Sequence, residues 1–286
     1  MYDRDWAPEG LPQFAREVEE SGADELWVVE DLEWTGAVAS AATALAVTDR
    51  LRVGIGITPA PLRNPALLAM ELGALARMFP GRLTAGVGHG VREWMVKVGV
   101  APRSPLALLE ETVTAVRALL RGEEVTVDGR EVHLDGVRLV HPPAVVPPVV
   151  AGVLGPRSLE LAGRAADGVI VAEGHGPADL AEVLAHVGKG RADRTDGADH
   201  SLTVFAFLCV QDDPELLRTT IGPSLDGHAA WLGRPAEQVF AASGPVATVA
   251  ARVRELWAAG AGTVVLRAVG PEPLAQVTAA VRELRG

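Results

Sequence analysis

Short apolar runs alternate along the chain with longer stretches in which apolar residues recur every three or four positions. Seven runs, E-L-W-V-V-E-D (25–31), L-R-V-G-I-G-I (51–57), R-L-T-A-G-V-G (82–88), V-P-P-V-V-A-G-V (146–153), D-G-V-I-V-A-E (167–173), S-L-T-V-F-A-F-L-C-V (201–210) and T-V-V-L-R-A-V (263–269), are apolar at odd and even positions alike. Such strands are covered on both faces, as in a parallel sheet. Between them, 11–21, 65–78, 106–121, 158–166, 177–187 and 245–259 carry the period of an amphipathic helix. The order is βαβα, which fits either an open doubly wound sheet or a closed (β/α)8 barrel of the TIM type. Even spacing over 286 residues favours the barrel, as one α/β domain over 1–286. One strand is missing, because M-Y-D-R-D-W-A-P-E-G leads almost at once into the first helix. Met1 and Tyr2 are expected to be the end of a truncated first strand, with the natural start upstream or the barrel open at that seam.

Three segments break the rhythm. E-V-T-V-D-G-R-E-V-H-L-D (124–135) has two alternating runs around Asp128-Gly129 and predicts a hairpin inserted outside the barrel. Residues 188–200 form a polar loop, and 212–244 an irregular, partly helical insertion. The third run, 82–88, leads into T-A-G-V-G-H-G-V-R-E-W-M, with Gly86, Gly88 and Gly90 at alternate positions. Glycine packs nothing and loses most entropy on ordering, so something must need that space.

Composition narrows the partners. A formal net charge of -11 without a basic run excludes nucleic acid and an anionic membrane surface as expected partners. No apolar stretch reaches the roughly 18 residues of a membrane span, and the amino terminus lacks a signal core, so the expected location is cytoplasmic. The single cysteine, Cys209, lies in an apolar strand and reads as a buried, inert thiol.

A barrel of βα units builds its site at the carboxyl ends of the strands. There the sequence places Glu30, Asp31 and Trp34, then Thr58 and Arg63, then His89, Gly90, Glu93 and Trp94, then Gly155, Pro156, Arg157 and Ser158, and finally Glu173 and His175. The 155–158 segment opens a helix whose first amides can hold a phosphate. G-V-G-H-G-V is not the spaced dinucleotide fingerprint, there is no phosphate-cradling G-x-x-x-x-G-K-[ST] loop, and no G-x-S-x-G elbow. No H-E-x-x-H or C-x-x-C spacing suggests a metal. Trp34 and Trp94 on neighbouring strand ends suggest an aromatic wall. What remains is a cofactor pocket.

The stretches E-S-G-A-D-E-L-W-V-V-E-D, G-I-G-I-T-P-A-P-L-R-N-P-A-L-L-A, F-P-G-R-L-T-A-G-V-G-H-G-V-R-E-W-M, L-L-E-E-T-V-T-A-V-R-A-L-L-R-G-E and P-P-V-V-A-G-V-L-G-P-R-S-L-E-L-A-G-R-A-A-D-G-V-I, in this order, resemble the bacterial luciferase-like superfamily. Within it they are most similar to the oxidoreductases that use the deazaflavin coenzyme F420. The resemblance implies a (β/α)8 barrel, a homodimer and a small-molecule substrate. It also implies a bulge at the end of the third strand, often with a non-prolyl cis peptide, placed by position within Gly56-Ile57-Thr58 against the back of the ring. Gly86, Gly88 and Gly90 would let the backbone approach the ring edge and the ribityl chain. Gly155, Pro156, Arg157 and Ser158 would meet the coenzyme phosphate, and Trp94 and His175 join the cofactor-binding set.

Departures from the pattern bear on the chemistry. Asp31 stands where relatives often carry a histidine, and Val91 where several deazaflavin enzymes carry a carboxylate, so Glu93 is the nearest acid. His175 stands where sugar-phosphate-oxidising members have a lysine, which argues against a sugar phosphate. The expected activity is hydride transfer between F420 and a small organic substrate, with Glu93 the first candidate for proton transfer and Asp31 and His89 the others. The alternatives are an FMN-dependent monooxygenase using molecular oxygen and a noncatalytic flavin- or deazaflavin-binding protein.

Overall fold

The structure is a computed structural model and describes all residues except 193 and 195–198. In chain order its elements are α1 (Leu11–Glu20), β1 (Glu25–Val28), α2 (Ala37–Ala46), β2 (Arg52–Pro59), α3 (Pro65–Met78), β3 (Leu83–Gly88), α4 (Arg92–Lys97), α5 (Pro105–Leu120), β4 (Val125–Asp128), β5 (His133–Val137) and β6 (Val149–Gly152). Then come α6 (Pro156–Ala165), β7 (Gly168–Val171), α7 (Pro177–Arg191), β8 (Ser201–Val210), α8 (Pro214–Leu232), β9 (Ala241–Gly244), α9 (Val246–Ala258), β10 (Thr263–Ala268) and α10 (Pro273–Arg285).

The seven apolar runs become seven parallel strands in the order β1-β2-β3-β6-β7-β8-β10. β4 and β5 form the separate antiparallel hairpin, whose loop spans the four positions between Asp128 and His133 because the Glu111 carboxylate accepts the Arg130, Glu131 and Val132 amides. β1 and β10 are the outer strands. Met1 and Tyr2 lie between them: the amino group donates to the Leu266 carbonyl at 2.7 Å and the Tyr2 amide to the Trp27 carbonyl at 2.9 Å. Below these two bonds the barrel is open along the seam, where a cleft of about 230 Å³ runs between Phe14, Trp27, Trp257, Leu266 and Leu284.

Several elements differ from the sequence reading. α2, A-V-A-S-A-A-T-A-L-A, was not predicted because alanine around the whole helix leaves no amphipathic period. The 212–244 insertion resolves into α8 and the small-residue strand β9, which pairs with Phe207 to Val210. α10, which was not predicted either, closes the chain. α7 continues to Arg191, taking the first part of the loop expected over 188–200. The remainder of that loop includes 193 and 195–198, which lie outside the described residues.

The barrel interior explains the glycines at Gly56, Gly86, Gly88 and Gly152. The β2–β3 register shifts between Ile55 and Thr58, and the Gly56–Ile57 peptide is cis, at the position expected. A Cβ on Gly86 would stand 2.1 Å from the Ile55 carbonyl oxygen, and one on Gly152 would stand 2.4 Å from Ile57 Cγ2. Gly88 would meet Ile57 at 3.0 Å. The bulge of β2 therefore folds into space that β3 and β6 leave by carrying no side chains. Gly56 has a similar reason, since its Cβ would meet Phe205 Cζ at 2.7 Å, and Phe205 packs edge-to-face on Trp27 in the interior. A Cβ at Gly56, Gly86 or Gly88 would therefore meet neighbouring protein atoms.

Gly86→Ala should lower stability by about 1–3 kcal/mol or more, because a backbone carbonyl cannot swing aside as a side chain does. Gly188→Ala, inside α7 with no atom near its Cβ position, should raise it by about 0.5–1 kcal/mol. Urea unfolding of both variants checks the contrast.

Candidate active site

At the end of β1, Glu30 is buried and accepts from the Ala37 amide at 2.8 Å, anchoring the start of α2. It also pairs with Arg63, which reaches Glu71 at 3.2 Å. The Glu30 hydrogen bond is the main reason the Arg63 guanidinium is held above its ordinary value. Glu30 thus fastens the loops after β1 and β2 together, with both of its oxygens engaged.

Asp31 pairs with Arg4 at 2.5 Å, and the Arg4 guanidinium lies 4.6 Å above the Trp34 ring. Trp34 and Trp94 face each other with centroids 6.2 Å apart, so the expected aromatic wall forms. Glu93 is different: it is exposed on α4, outside this cluster. The sequence placed it near the mouth, but α4 turns it towards solvent.

At the ends of β2, β3 and β6 three residues converge. Thr58 is buried, and its Oγ1 has no hydrogen-bond partner. His89 Nε2 lies 3.0 Å from Ser158 Oγ, which joins the loop after β3 to the first turn of α6. Burial pushes the His89 imidazole below its ordinary value, opposed by the Pro105 carbonyl. Gly155 caps α6 without a side chain, and Gly155, Pro156 and Arg157 are exposed, so the free amides of the first turn face solvent beside a guanidinium. Gly90 adopts φ +69° at the turn out of β3, a left-handed conformation that suits glycine.

His175 falls outside this group: it is buried, with Nδ1 held 2.9 Å from the Ala172 carbonyl. Glu173, two positions earlier, instead enters the mouth, where Arg267 of β10 lies 3.4 Å from it and 2.7 Å from Asp3. His228 of α8 places Nε2 3.9 Å from Glu173. Sequence reasoning passed over Asp3, His228 and Arg267. A signal for Arg267 existed, since in T-V-V-L-R-A-V it shares the alternate face of Thr263 and Val265, an inward face where a charge needs partners. Cys209 is buried, and burial pushes its thiol up.

The profile of the luciferase-like monooxygenase family matches residues 5–281. A 5,10-methylenetetrahydromethanopterin reductase from Methanolobus tindarius is 30% identical over 206 residues, covering 72% of this chain and 62% of that protein. An F420-dependent glucose-6-phosphate dehydrogenase from Beutenbergia cavernae is 31% identical over 225 residues, covering 74% of this chain and 67% of that one. The chain thus spans less than two thirds of the reductase it matches. Among solved structures, an F420-dependent secondary alcohol dehydrogenase in complex with an F420-acetone adduct superposes with a TM-score of 0.83 at 20% identity, covering 98% of this chain and 96% of that one. That likeness confirms the barrel fold.

His89, His200 and His228 are all pushed down, in each case chiefly by burial. The unfolded chain takes up protons at these histidines near pH 6.5, and the folded chain only at lower pH. Their contribution to stability is therefore fully present above pH 6.5 and declines as pH falls below it. Histidine NMR titration of the folded protein should give midpoints under 6.5 for these three, and urea midpoints should drop between pH 7 and pH 5.5.

Proposed function

The chain belongs to the luciferase-like monooxygenase family, and from that premise we propose that it is an oxidoreductase moving a hydride between the deazaflavin coenzyme F420 and a small organic substrate. The relatives named as F420-dependent support the coenzyme. The observation that carries the reading is the convergence of Thr58, the His89–Ser158 pair and the uncapped amino end of α6 at adjacent strand ends. A buried hydroxyl left unpaired costs about 1–3 kcal/mol, so Thr58 is suited to a polar edge of a ligand. The exposed first turn of α6, with Arg157 and Ser158, is suited to a phosphate.

In this reading Ile57, Thr58 and Gly88 border the ring, while Gly155, Pro156, Arg157 and Ser158 hold the phosphate. His89 locks the Ser158 hydroxyl in place, and Trp34 and Trp94 screen the mouth from water. The bound coenzyme supplies a two-electron hydride donor or acceptor; the protein supplies orientation and a proton site.

A homodimer completes the proposal. Leu67, Met70 and Met78 leave an apolar stripe exposed along α3, and such a stripe is suited to a second copy. Met70→Glu should convert the protein to a monomer in sedimentation without changing its circular dichroism.

Titrating the purified protein with F420 and with FMN tests the coenzyme, and tighter binding of FMN would overturn the choice. Arg157→Ala should weaken F420 by about 1–3 kcal/mol and leave its dephosphorylated form almost unaffected, read by fluorescence titration. Equal losses for both forms would remove Arg157 from the phosphate site.

A further inference from the structure

The β8 and β10 side of the mouth holds a second cluster with different chemistry. Glu173 and Asp3 are buried and share the Arg267 guanidinium. His228 reaches over them from α8, with its ring edge-to-face on Phe207 at 4.6 Å and near Trp231 at 5.8 Å. His228 Nε2 is 3.9 Å from Glu173 Oε2, too far for a direct hydrogen bond. At that separation a single oxygen beside the pair comes within hydrogen-bonding reach of both groups, under the rings of Phe207 and Trp231.

The charges around the gap select what enters. Arg4 is held by Asp31, and Arg267 by Asp3 and Glu173. Three carboxylates thus face two guanidiniums, which disfavours an anion.

We propose that His228 exchanges the proton of the substrate oxygen, that the Glu173 carboxylate stabilises the imidazolium this forms, and that the substrate is an uncharged alcohol or the carbonyl compound derived from it. This rests on the hydride-transfer reading above. In oxidation the carbon-bound hydrogen leaves with its electron pair to the deazaflavin. The hydroxyl O–H bond breaks, its proton passes to Nε2, and the C=O double bond forms. Reduction moves the same atoms in reverse. Burial keeps the imidazole below its ordinary value and hence neutral at pH 7, ready to accept; Glu173 and the Ser224 backbone pull it up, while Arg267 and Arg4 push it further down. Asp3 and the Met1 amino group, itself lowered to about 5 by burial, complete the charged surroundings.

The test uses NMR of the coenzyme-free protein and kinetics of the F420-loaded protein, with 2-propanol and cyclohexanol as neutral probes and glucose 6-phosphate as the anionic comparison. The alcohols should shift the His228 ring signals in a saturable way without coenzyme, and the sugar phosphate should not. His228→Asn should lose roughly 100-fold or more in kcat with F420 affinity unchanged. Glu173→Gln should lower the His228 midpoint and move the acid limb of kcat/KM to lower pH by the same interval, and Glu173→Asp should restore most of it. An acid limb that stays in place while the His228 midpoint moves would overturn the proposal, as would wild-type turnover in His228→Asn or preferential turnover of the sugar phosphate. Absence of F420 binding would instead sink the hydride-transfer reading, and saturable alcohol shifts at His228 would still report the oxygen site.

Discussion

The closeness of β2, β3 and β6 is the constraint on which this barrel's mouth depends. Parallel strands lie about 4.8 Å apart, and a bulge on one can fold inward only where its neighbours lack side chains. Gly86 and Gly152 provide that gap: the Ile55 carbonyl fills one and the Ile57 side chain the other. The bulge in turn sets Thr58 at the strand end with its hydroxyl buried. It also leaves β3 running straight to His89, within hydrogen-bonding distance of Ser158. One packing requirement among backbone atoms therefore places three polar groups at adjacent strand ends.

A second layer of order is electrostatic. Burying a charge is tolerated only when it is paired, and each buried carboxylate at the mouth has a guanidinium: Glu30 has Arg63, and Asp3 and Glu173 share Arg267. The first pair ties the loop after β1 to that after β2, and the second group ties the loop after β7 to β10 and the amino-terminal segment. Beside them lies an apolar interior cluster of Trp27, Val150, Ile170, Phe205 and Val265. The two halves of the mouth thus differ, with an uncapped helix end and unpaired hydroxyl on the α6 side and neutralised charges under aromatic rings on the α8 side.

The residues of the first half were legible in the sequence because they follow strands whose ends the apolar pattern marks. Asp31, Thr58, His89, Trp94, Arg157 and Ser158 all lie at strand ends, where that rule places them. Position after a strand does not say which way a loop turns the side chain, however: α4 exposes Glu93, and the Ala172 carbonyl holds His175 inside. The glycines of β3 mark a need for space, and the neighbouring strands supply one reason for it, with the Ile55 carbonyl beside Gly86 and Ile57 beside Gly88.

By itself the sequence determined the alternation of strands and helices, the parallel sheet and the hairpin insertion. Each of these is written in periodicities and turn residues a few positions apart. Only the tertiary structure decided the partners of the buried charges. Asp3 and Arg267 are 264 positions apart, and Glu173 and His228 come from different loops and helices. No local pattern encodes such meetings; they arise because closing a sheet towards a barrel brings its first and last strands to the same mouth, where unpaired charge cannot be buried.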